Sequence, residues 1–274
     1  MKKVLSTLLA AVLSVSAIAT VPSAEAEKAT AAAKSGMVIL GDSIATGYTK
    51  QGNVAHNYGE ICGDYLGCKV SNYAVVGDTT DDMLALIDKM SAEQKKNISD
   101  AEYVVISIGG NDYLYSNIIE LIFALLLGST APAKKIIDNA YKNFKSIISK
   151  IKTINPDAVI IVQTLYNPNH PLISSVLEKF VSMLNEMFTR YLEENPGAYY
   201  IADVHEALKG QIGFIALDTI HPNARGNVII AKVLLKLLKE LDLGKTETPV
   251  INHQGISELF GPIWSILQFV KKFA

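Results

Sequence analysis

The chain has 274 residues, of which 49% are hydrophobic, and its 27 acidic side chains nearly balance its 25 basic ones. This length is enough for one α/β domain with a sizeable core. The formal net charge of −2 and the lack of a basic block argue against nucleic acid as a partner.

The first 26 residues are typical of a bacterial export signal. Lys2 and Lys3 precede an apolar stretch over residues 4–21, and the small residues Ala24 and Ala26 flank Glu25 at the spacing of a cleavage site. We therefore expect residues 1–26 to be a signal peptide and the protein to be secreted or held in the cell envelope. Residues 27–245 are then the folded domain, and residues 246–274 are a linker and a helical tail.

Short apolar segments alternate with longer amphipathic ones along the domain. The predicted strands are residues 37–40, 69–73, 103–108, 158–164 and 199–203. The predicted helices are residues 58–66, 80–90, 134–154, 173–194 and 224–241. Nearly continuous apolar strands between helices indicate a parallel sheet covered on both faces, so we expect an α/β fold in which a central five-stranded parallel sheet forms a three-layer α/β/α sandwich.

Two segments lie outside this alternation. Residues 113–127 contain a run of seven apolar residues, which fits either an apolar flank or lid beside the site or an extra helix packed into the core. Residues 246–274 carry apolar side chains, including Trp264, at helical spacing. This tail fits either peripheral contact with a membrane or docking on its own domain.

Cys62 and Cys68 are the only cysteines. In an exported protein they could form a local disulfide, and the alternative is two free buried thiols. No spacing of Cys and His typical of a zinc site is present, so we expect no structural zinc.

Four polar segments follow predicted strands or precede the last predicted helix. They are residues 41–43, 72–80, 107–112 and 218–223. In open α/β sheets, ligands bind outside the carboxyl ends of the strands, so these segments predict one site. Each segment alone is also explained as a helix cap or a turn.

The residue types in these segments fit acyl transfer. Ser43 needs an adjacent base, which His221 can provide, and Asp218 can hold the other ring nitrogen of that histidine. A developing oxyanion needs hydrogen-bond donors, and the Ser43 and Gly77 N–H groups and the Asn111 side-chain amide are candidates.

The same segments resemble those of the SGNH hydrolases, the GDSL esterase/lipase superfamily. The resemblance rests on Gly-Asp-Ser at 41–43, Gly77, Gly-Gly-Asn-Asp at 109–112 and Asp-x-x-His-Pro-Asn at 218–223, in the family's order. It implies a flavodoxin-like sandwich with an exposed site that needs no metal and no cofactor. It also implies a nucleophile at Ser43, oxyanion donors at Gly77 and Asn111, and a base at His221 with Asp218 in the acidic position.

We therefore expect an exported serine hydrolase of carboxylic esters whose substrate is a small-molecule, lipid or glycan ester. Two alternatives remain open at the level of sequence. One is a deacetylase of cell-wall or plant polysaccharide, and the other is a surface binding protein that uses the same scaffold without catalysis.

Overall fold

The computed structural model describes residues 36–168 and 173–244. Over these residues the chain forms a five-stranded, wholly parallel sheet. The strands are β1 (Gly36–Gly41), β2 (Lys69–Asn72), β3 (Tyr103–Ser107), β4 (Val159–Gln163) and β5 (Tyr200–Ala202). All five predicted strands are confirmed, with ends that differ by a few residues at most.

Helices connect the strands. They are α1 (Ser43–Thr46), α2 (Tyr58–Leu66), α3 (Thr80–Lys89), α4 (Ala92–Asp100), α5 (Gly110–Leu114), α6 (Ile118–Leu126), α7 (Ala131–Ile154), α8 (Ser174–Glu194), α9 (Val204–Leu208) and α10 (Ala224–Glu240). The five predicted helices correspond to α2, α3, α7, α8 and α10.

The order of the strands across the sheet brings the predicted site together. The order is β2-β1-β3-β4-β5, so the chain segments after β2, β1 and β3 leave the same edge side by side. In the register of these strands, Ile39 of β1 lies opposite Asn72 of β2 on one side and opposite Val105 of β3 on the other. These three segments carry Gly77, Ser43 and Asn111.

Alternate residues of the strands pack into two separate hydrophobic cores, one on each face of the sheet, as expected of a sheet buried on both faces. Val38 and Leu40 of β1 pack with α3, α7 and α8 on one face. Met37 and Ile39 pack with α2 and α10 on the other face. The architecture is therefore the expected three-layer α/β/α sandwich.

Several predicted helix ends are confirmed in detail. The Thr79 side chain accepts a hydrogen bond from the Asp82 N–H, and Asp81 and Asp82 occupy the first turn of α3. Helices α7 and α8 end immediately before Asn155 and Asn195, each of which precedes a proline.

Helix α4 has no counterpart among the predicted helices. Ser91 and Gln94 form a capping box at its start, yet Ile98 is its single buried residue. A nine-residue helix that buries one side chain has no apolar periodicity to detect. The short helices α1, α5 and α9 have four or five residues each, which is too short for an apolar periodicity to show.

The segment at residues 113–127 forms the end of α5 and all of α6. Leu121 and Leu125 are buried against the core, whereas Phe123 and Leu126 on the opposite side are exposed. The interpretation as an extra helix packed on the core is confirmed for its inner face, and the interpretation as a flank or lid beside the site stays a prediction. The predicted signal peptide, the residues before Gly36 and the predicted tail at 246–274 lie outside the described residues.

The candidate disulfide between Cys62 and Cys68 is wrong, since both cysteines are free. Cys62 lies in α2 with its Sγ directed at the Ala231 carbonyl oxygen of α10, 3.8 Å away. It therefore points into the core between two helices, while Cys68 stands just before β2. A spacing of six residues cannot reveal this difference in direction.

Within residues 36–168 and 173–244, no helix is both long enough and apolar enough to cross a membrane.

Candidate active site

Ser43 lies just beyond the carboxyl end of strand β1, the second strand of the sheet. Asp42 separates it from the strand and caps α1, because the Asp42 carboxylate accepts a hydrogen bond from the Ile44 N–H at 2.9 Å. The Asp42 N–H donates to the Ser107 carbonyl oxygen at the end of β3. The turn that presents Ser43 is thus tied to the neighbouring strand as well as to its own helix.

The structure brings Ser43, His221 and Asp218 into one hydrogen-bonded series. The Ser43 Oγ is 2.9 Å from His221 Nε2, and His221 Nδ1 is 3.0 Å from an Asp218 carboxylate oxygen. The two outer residues are 175 positions apart in the chain, so the fold and not local sequence creates the set. With Asp218 accepting from Nδ1–H, the Nε2 atom faces Ser43 as a proton acceptor.

Asp218 is held in its charged form. Burial alone would raise the pKa of this carboxyl group, but the N–H groups of His221, Lys50 and Ile220, together with the His221 ring, lower it below its usual range. The three N–H groups donate to the carboxylate at 2.9 to 3.0 Å. A charged Asp218 fixes the orientation of the His221 ring and stabilises its protonated form.

The segment around Asp218 and His221 is braced at its ends. The N–H of Ala216 donates to the His221 carbonyl oxygen, and the Asn223 side chain donates to the Gly213 and Ile215 carbonyl oxygens. Asn223 also caps α10 by accepting from the Gly226 N–H. The turn that carries the base is therefore anchored to the start of a long buried helix.

Two of the expected oxyanion donors are backbone N–H groups with no acceptor among the hydrogen bonds of the described residues. They are Ser43 N–H, at the first residue of α1, and Gly77 N–H, in the segment after β2. The third is the Asn111 side-chain amide, which donates to the Asp78 carbonyl oxygen at 2.9 Å. An amide nitrogen carries two hydrogens, so one remains for a ligand.

A buried polar brace joins the segments that carry Gly77 and Asn111. Asp112 accepts from both the N–H and the hydroxyl of Thr80, at 3.0 and 2.6 Å. Asn143 of α7 donates to the same hydroxyl oxygen at 3.1 Å. Thr80 is fully buried at the start of α3, so these contacts hold two neighbouring loops in one position.

Asp42 is a buried carboxyl group beneath the site. Burial raises its pKa to about 7, and the nearby carboxylates of Asp112 and Asp78 add to the shift, while the hydrogen bond from Ile44 opposes it. The residue that caps the helix of Ser43 therefore holds its proton more tightly than an exposed carboxyl group does.

Beside Gly77, the cleft is lined by apolar groups. Val75 and Val76 are exposed, and the exposed Tyr115 places its hydroxyl 2.5 Å from the point that a side-chain carbon on Gly77 would occupy. Gly77 also has a positive φ of 91°. Both features require glycine at this position.

Sequence reasoning missed three residues of the site. The Tyr48 ring meets the edge of His221 with 5.1 Å between centroids, Lys50 supplies its N–H to Asp218, and Tyr115 covers Gly77. A backbone N–H leaves no signal in residue type, and the two tyrosines lie beside the polar motifs and not within them. No three His, Cys, Asp or Glu side chains of the described part of the chain are grouped so as to hold a metal ion.

Comparison with known proteins places this geometry in a family. The sequence pattern of the GDSL-like lipase/acylhydrolase family matches residues 39–229. An uncharacterised protein of Bacillus subtilis (strain 168), YpmR, is 30% identical over 183 residues, which cover 64% of this chain and 68% of that protein.

Solved structures share the fold at lower identity. The lipase Lip_vut3 from a goat rumen metagenome superposes with a TM-score of 0.62 at 20% identity, covering 78% of this chain and 100% of that one. The acetylxylan esterase Axe2 from Geobacillus stearothermophilus gives 0.52 at 19% identity, covering 74% and 93%. At these identities the likeness concerns the fold alone.

Proposed function

Because the chain belongs to the GDSL-like lipase/acylhydrolase family, we propose that it cleaves carboxylic esters through an acyl-enzyme on Ser43. The observation that carries this proposal is the series from Ser43 Oγ through His221 to Asp218, with separations of 2.9 and 3.0 Å. These distances are those of a nucleophile, a base and the group that orients the base.

The first half of the reaction forms the acyl-enzyme. The Ser43 oxygen attacks the carbonyl carbon of the ester while His221 Nε2 takes the hydroxyl proton. The carbonyl oxygen becomes an oxyanion that accepts hydrogen bonds from the N–H groups of Ser43 and Gly77 and from the Asn111 amide. When the carbonyl re-forms, the bond to the alcohol oxygen breaks and the alcohol leaves with the proton from His221.

The second half repeats these steps with water. His221 takes a proton from a water molecule, whose oxygen attacks the acyl carbon and produces the same oxyanion. The bond to the Ser43 oxygen then breaks, the proton returns to Ser43, and the free acid leaves. Asp218 keeps its charge throughout and stabilises the protonated His221 at each stage.

The apolar surroundings of Gly77 favour an acyl chain over a sugar as the group bound on that side. Val75 and Val76 offer exposed apolar surface, and the Tyr115 ring adds to it with its hydroxyl directed at Gly77. We therefore propose an esterase or lipase in preference to a deacetylase of polysaccharide. The intact series at Ser43 also gives no support to a binding protein without catalysis.

The test compares the full chain with its Ser43→Ala and His221→Ala variants. We expect the unsubstituted protein to react with a fluorophosphonate probe and to hydrolyse p-nitrophenyl butyrate. Both variants should keep the circular dichroism of the fold and lose turnover by roughly 10³-fold or more, because such a set acts as a unit. Ser149→Ala, at an exposed position of α7, is the matched control and should change nothing.

Full hydrolysis by a clean Ser43→Ala preparation would overturn the acyl-enzyme. If acetylated xylan is cleaved much faster than any p-nitrophenyl ester of a longer acid, the deacetylase is correct instead. If the folded protein neither reacts with the probe nor hydrolyses any of these esters, the binding protein is correct.

We also propose that the protein is exported from a bacterial cell by residues 1–26. The support is the sequence pattern of a positive start, an apolar stretch and small residues at the end. Expression in a bacterial host, followed by fractionation and N-terminal sequencing, tests this. A protein that stays in the cytoplasm and begins at Met1 would contradict it.

A further inference from the structure

Helix α6 carries a row of large apolar side chains on the face that it turns to solvent. We call Ile119, Phe123 and Leu126 of α6, together with Leu127 directly after its end, the α6 stripe. They are 62% to 85% exposed and recur at a spacing of four, three and one residues, which places them along one side of the helix. On the other side, Leu121 and Leu125 are buried in the core.

This exposure is unusual for a protein surface. Single apolar side chains are common there, but a continuous apolar patch commonly marks a place of contact. Folding already buries the inner face of α6, so the stripe is not needed for the core. Its four side chains would each gain free energy by leaving water.

The stripe continues from the candidate active site. Tyr115 lies against Gly77, and only two residues separate it from the start of α6 at Ile118. Val75 and Val76 extend the apolar surface on the other side of Gly77. A surface that met the stripe would also meet the side of the cleft where the acyl group of an ester must lie.

The charge at the far end of the stripe is positive. Lys134 and Lys135 are exposed in the first turn of α7, just after Leu127 and the short turn that follows it. The only charged side chain on α6 itself is Glu120, which is held at the start of the helix by Asn117. An apolar helix face with lysines beside it fits a lipid surface that contains anionic head groups.

The described chain ends away from the α6 stripe. Helix α10 packs with α2 on one face of the sheet, whereas α6 packs with α7 and α8 on the other. After α10, the Leu243 carbonyl oxygen accepts a hydrogen bond from the Tyr103 hydroxyl. Tyr103 is the first residue of β3, so the described chain ends at the sheet edge opposite the active site.

We propose that the α6 stripe docks on a lipid surface and places the cleft at Ser43 where lipid meets water. This rests on the proposed ester hydrolysis and narrows its substrate to esters presented in membranes, micelles or emulsions. Lys134 and Lys135 add attraction to anionic lipid. The enzyme then lies on the lipid surface with the inner face of α6 still packed on its own core.

Binding is measured separately from catalysis. The full chain with Ser43→Ala is mixed with vesicles of phosphatidylcholine, alone or with phosphatidylglycerol, and the fraction that sediments with the vesicles is determined. We expect binding to both and tighter binding to the mixed vesicles. Adding Phe123→Ser and Leu126→Ser should weaken binding by at least about tenfold. Lys134→Gln and Lys135→Gln should each lower the ratio of binding to mixed vesicles over binding to phosphatidylcholine vesicles about fivefold.

The matched control is Ile212→Ser, since Ile212 is as exposed as Leu126 but belongs to the loop after α9. It should bind vesicles as the parent protein does. With Ser43 intact, the ratio of turnover on an emulsified ester to turnover on a soluble ester should fall at least about tenfold in the Phe123→Ser, Leu126→Ser variant.

Four results would overturn the docking. They are no vesicle binding by the full chain, equal binding after both α6 substitutions, loss of binding after Trp264→Ser alone, and a dimer that the α6 substitutions separate into monomers. The third result would assign the contact to the tail, and the fourth would assign the stripe to a second copy of the chain. Vesicle binding by a protein that hydrolyses no ester would contradict the proposed function and leave the docking intact.

Discussion

The residues around Ser43 are of two kinds, buried polar groups that hydrogen-bond one another and large apolar groups that are exposed to solvent. The polar wall consists of His221, Asp218 and the backbone that holds them, with the Asp218 side chain only 3% exposed. The apolar wall consists of Val75, Val76 and Tyr115 and leads to the α6 stripe.

This difference separates chemistry from recognition. Proton transfer needs atoms held within a few tenths of an ångström, and a network with several donors to each acceptor provides that. Contact with a variable acyl group or a lipid surface needs apolar area and little precise geometry. We therefore expect substitutions in the polar wall to change turnover on every ester and substitutions in the apolar wall to change it selectively.

The largest effect that tests this comparison is expected from Asn111→Ala. The substitution removes one oxyanion donor, which typically costs about 10²–10³ in kcat. The loss should be similar for short and long esters, because the oxyanion is common to all of them. Asn117→Ala, which removes an exposed amide at the start of α6, is the control and should leave kcat unchanged. A loss confined to long esters would show that Asn111 acts through the acyl chain.

Gly77→Ala tests the place where the two walls meet, with an expected loss in kcat/KM of about tenfold. A side chain at φ 91° is strained by about 1–2 kcal/mol, and its carbon would lie 2.5 Å from the Tyr115 hydroxyl oxygen. Tyr115→Phe in the same chain removes that oxygen and should restore part of the activity. Kinetics on one soluble ester measures both changes.

Gly67→Ala is the control for Gly77→Ala. Gly67 has a similar positive φ of 68° at the end of α2 but no atom close to its missing side chain. It should lose stability in thermal unfolding and keep its kcat/KM. If Tyr115→Phe restores nothing, the backbone strain at Gly77 accounts for the whole effect.

The smallest effect concerns Asp42, beneath the polar wall. Its folded pKa is about 7, above the ordinary value of 3.8, so the folded state holds this proton more tightly than the unfolded state does. The stability that this provides is fully present below about pH 4 and is lost as the pH rises to about 7. Asp42→Asn should remove that dependence, which is on the order of 1 kcal/mol or more over this range.

Urea unfolding of the parent and the Asp42→Asn variant at a series of pH values between 4 and 8 measures this. The two curves should differ in slope over that range. Asp138→Asn, at an exposed position of α7, is the control and should follow the parent. Parallel curves for the parent and Asp42→Asn would contradict the assignment to Asp42.

The polar wall was largely predictable from sequence, and the apolar wall was not. Ser43, Asp218 and His221 stand in short motifs at the ends of strands or at the start of a helix, and parallel strands force such ends to one edge of a sheet. The apolar run at residues 121–127 predicts a helix beside the site. The sequence does not reveal that Leu121 and Leu125 are buried while Phe123 and Leu126 are exposed. This depends on the orientation of α6 about its own axis where it packs on α7 and α8.

Two other differences between the predicted and the observed structure also depend on features that the spacing of residues along the chain does not show. Helix α4 is polar on nearly all sides, so its existence depends on the capping pair Ser91 and Gln94 and not on a pattern of burial. The direction of Cys62 depends on the packing of α2 against α10. Spacing along the chain describes neither.

The hydrogen bond from the Lys50 N–H to Asp218 affects how the site unfolds. Lys50 follows Ser43 by seven residues, so the segment that carries the proposed nucleophile also holds Asp218, the partner of the proposed base. A fluctuation that breaks this hydrogen bond releases both the loop of Lys50 and the loop of Asp218. We therefore expect the two loops to unfold together as one cooperative unit. Heating should therefore leave few molecules that retain half of the catalytic set, and inactivation should follow a single transition.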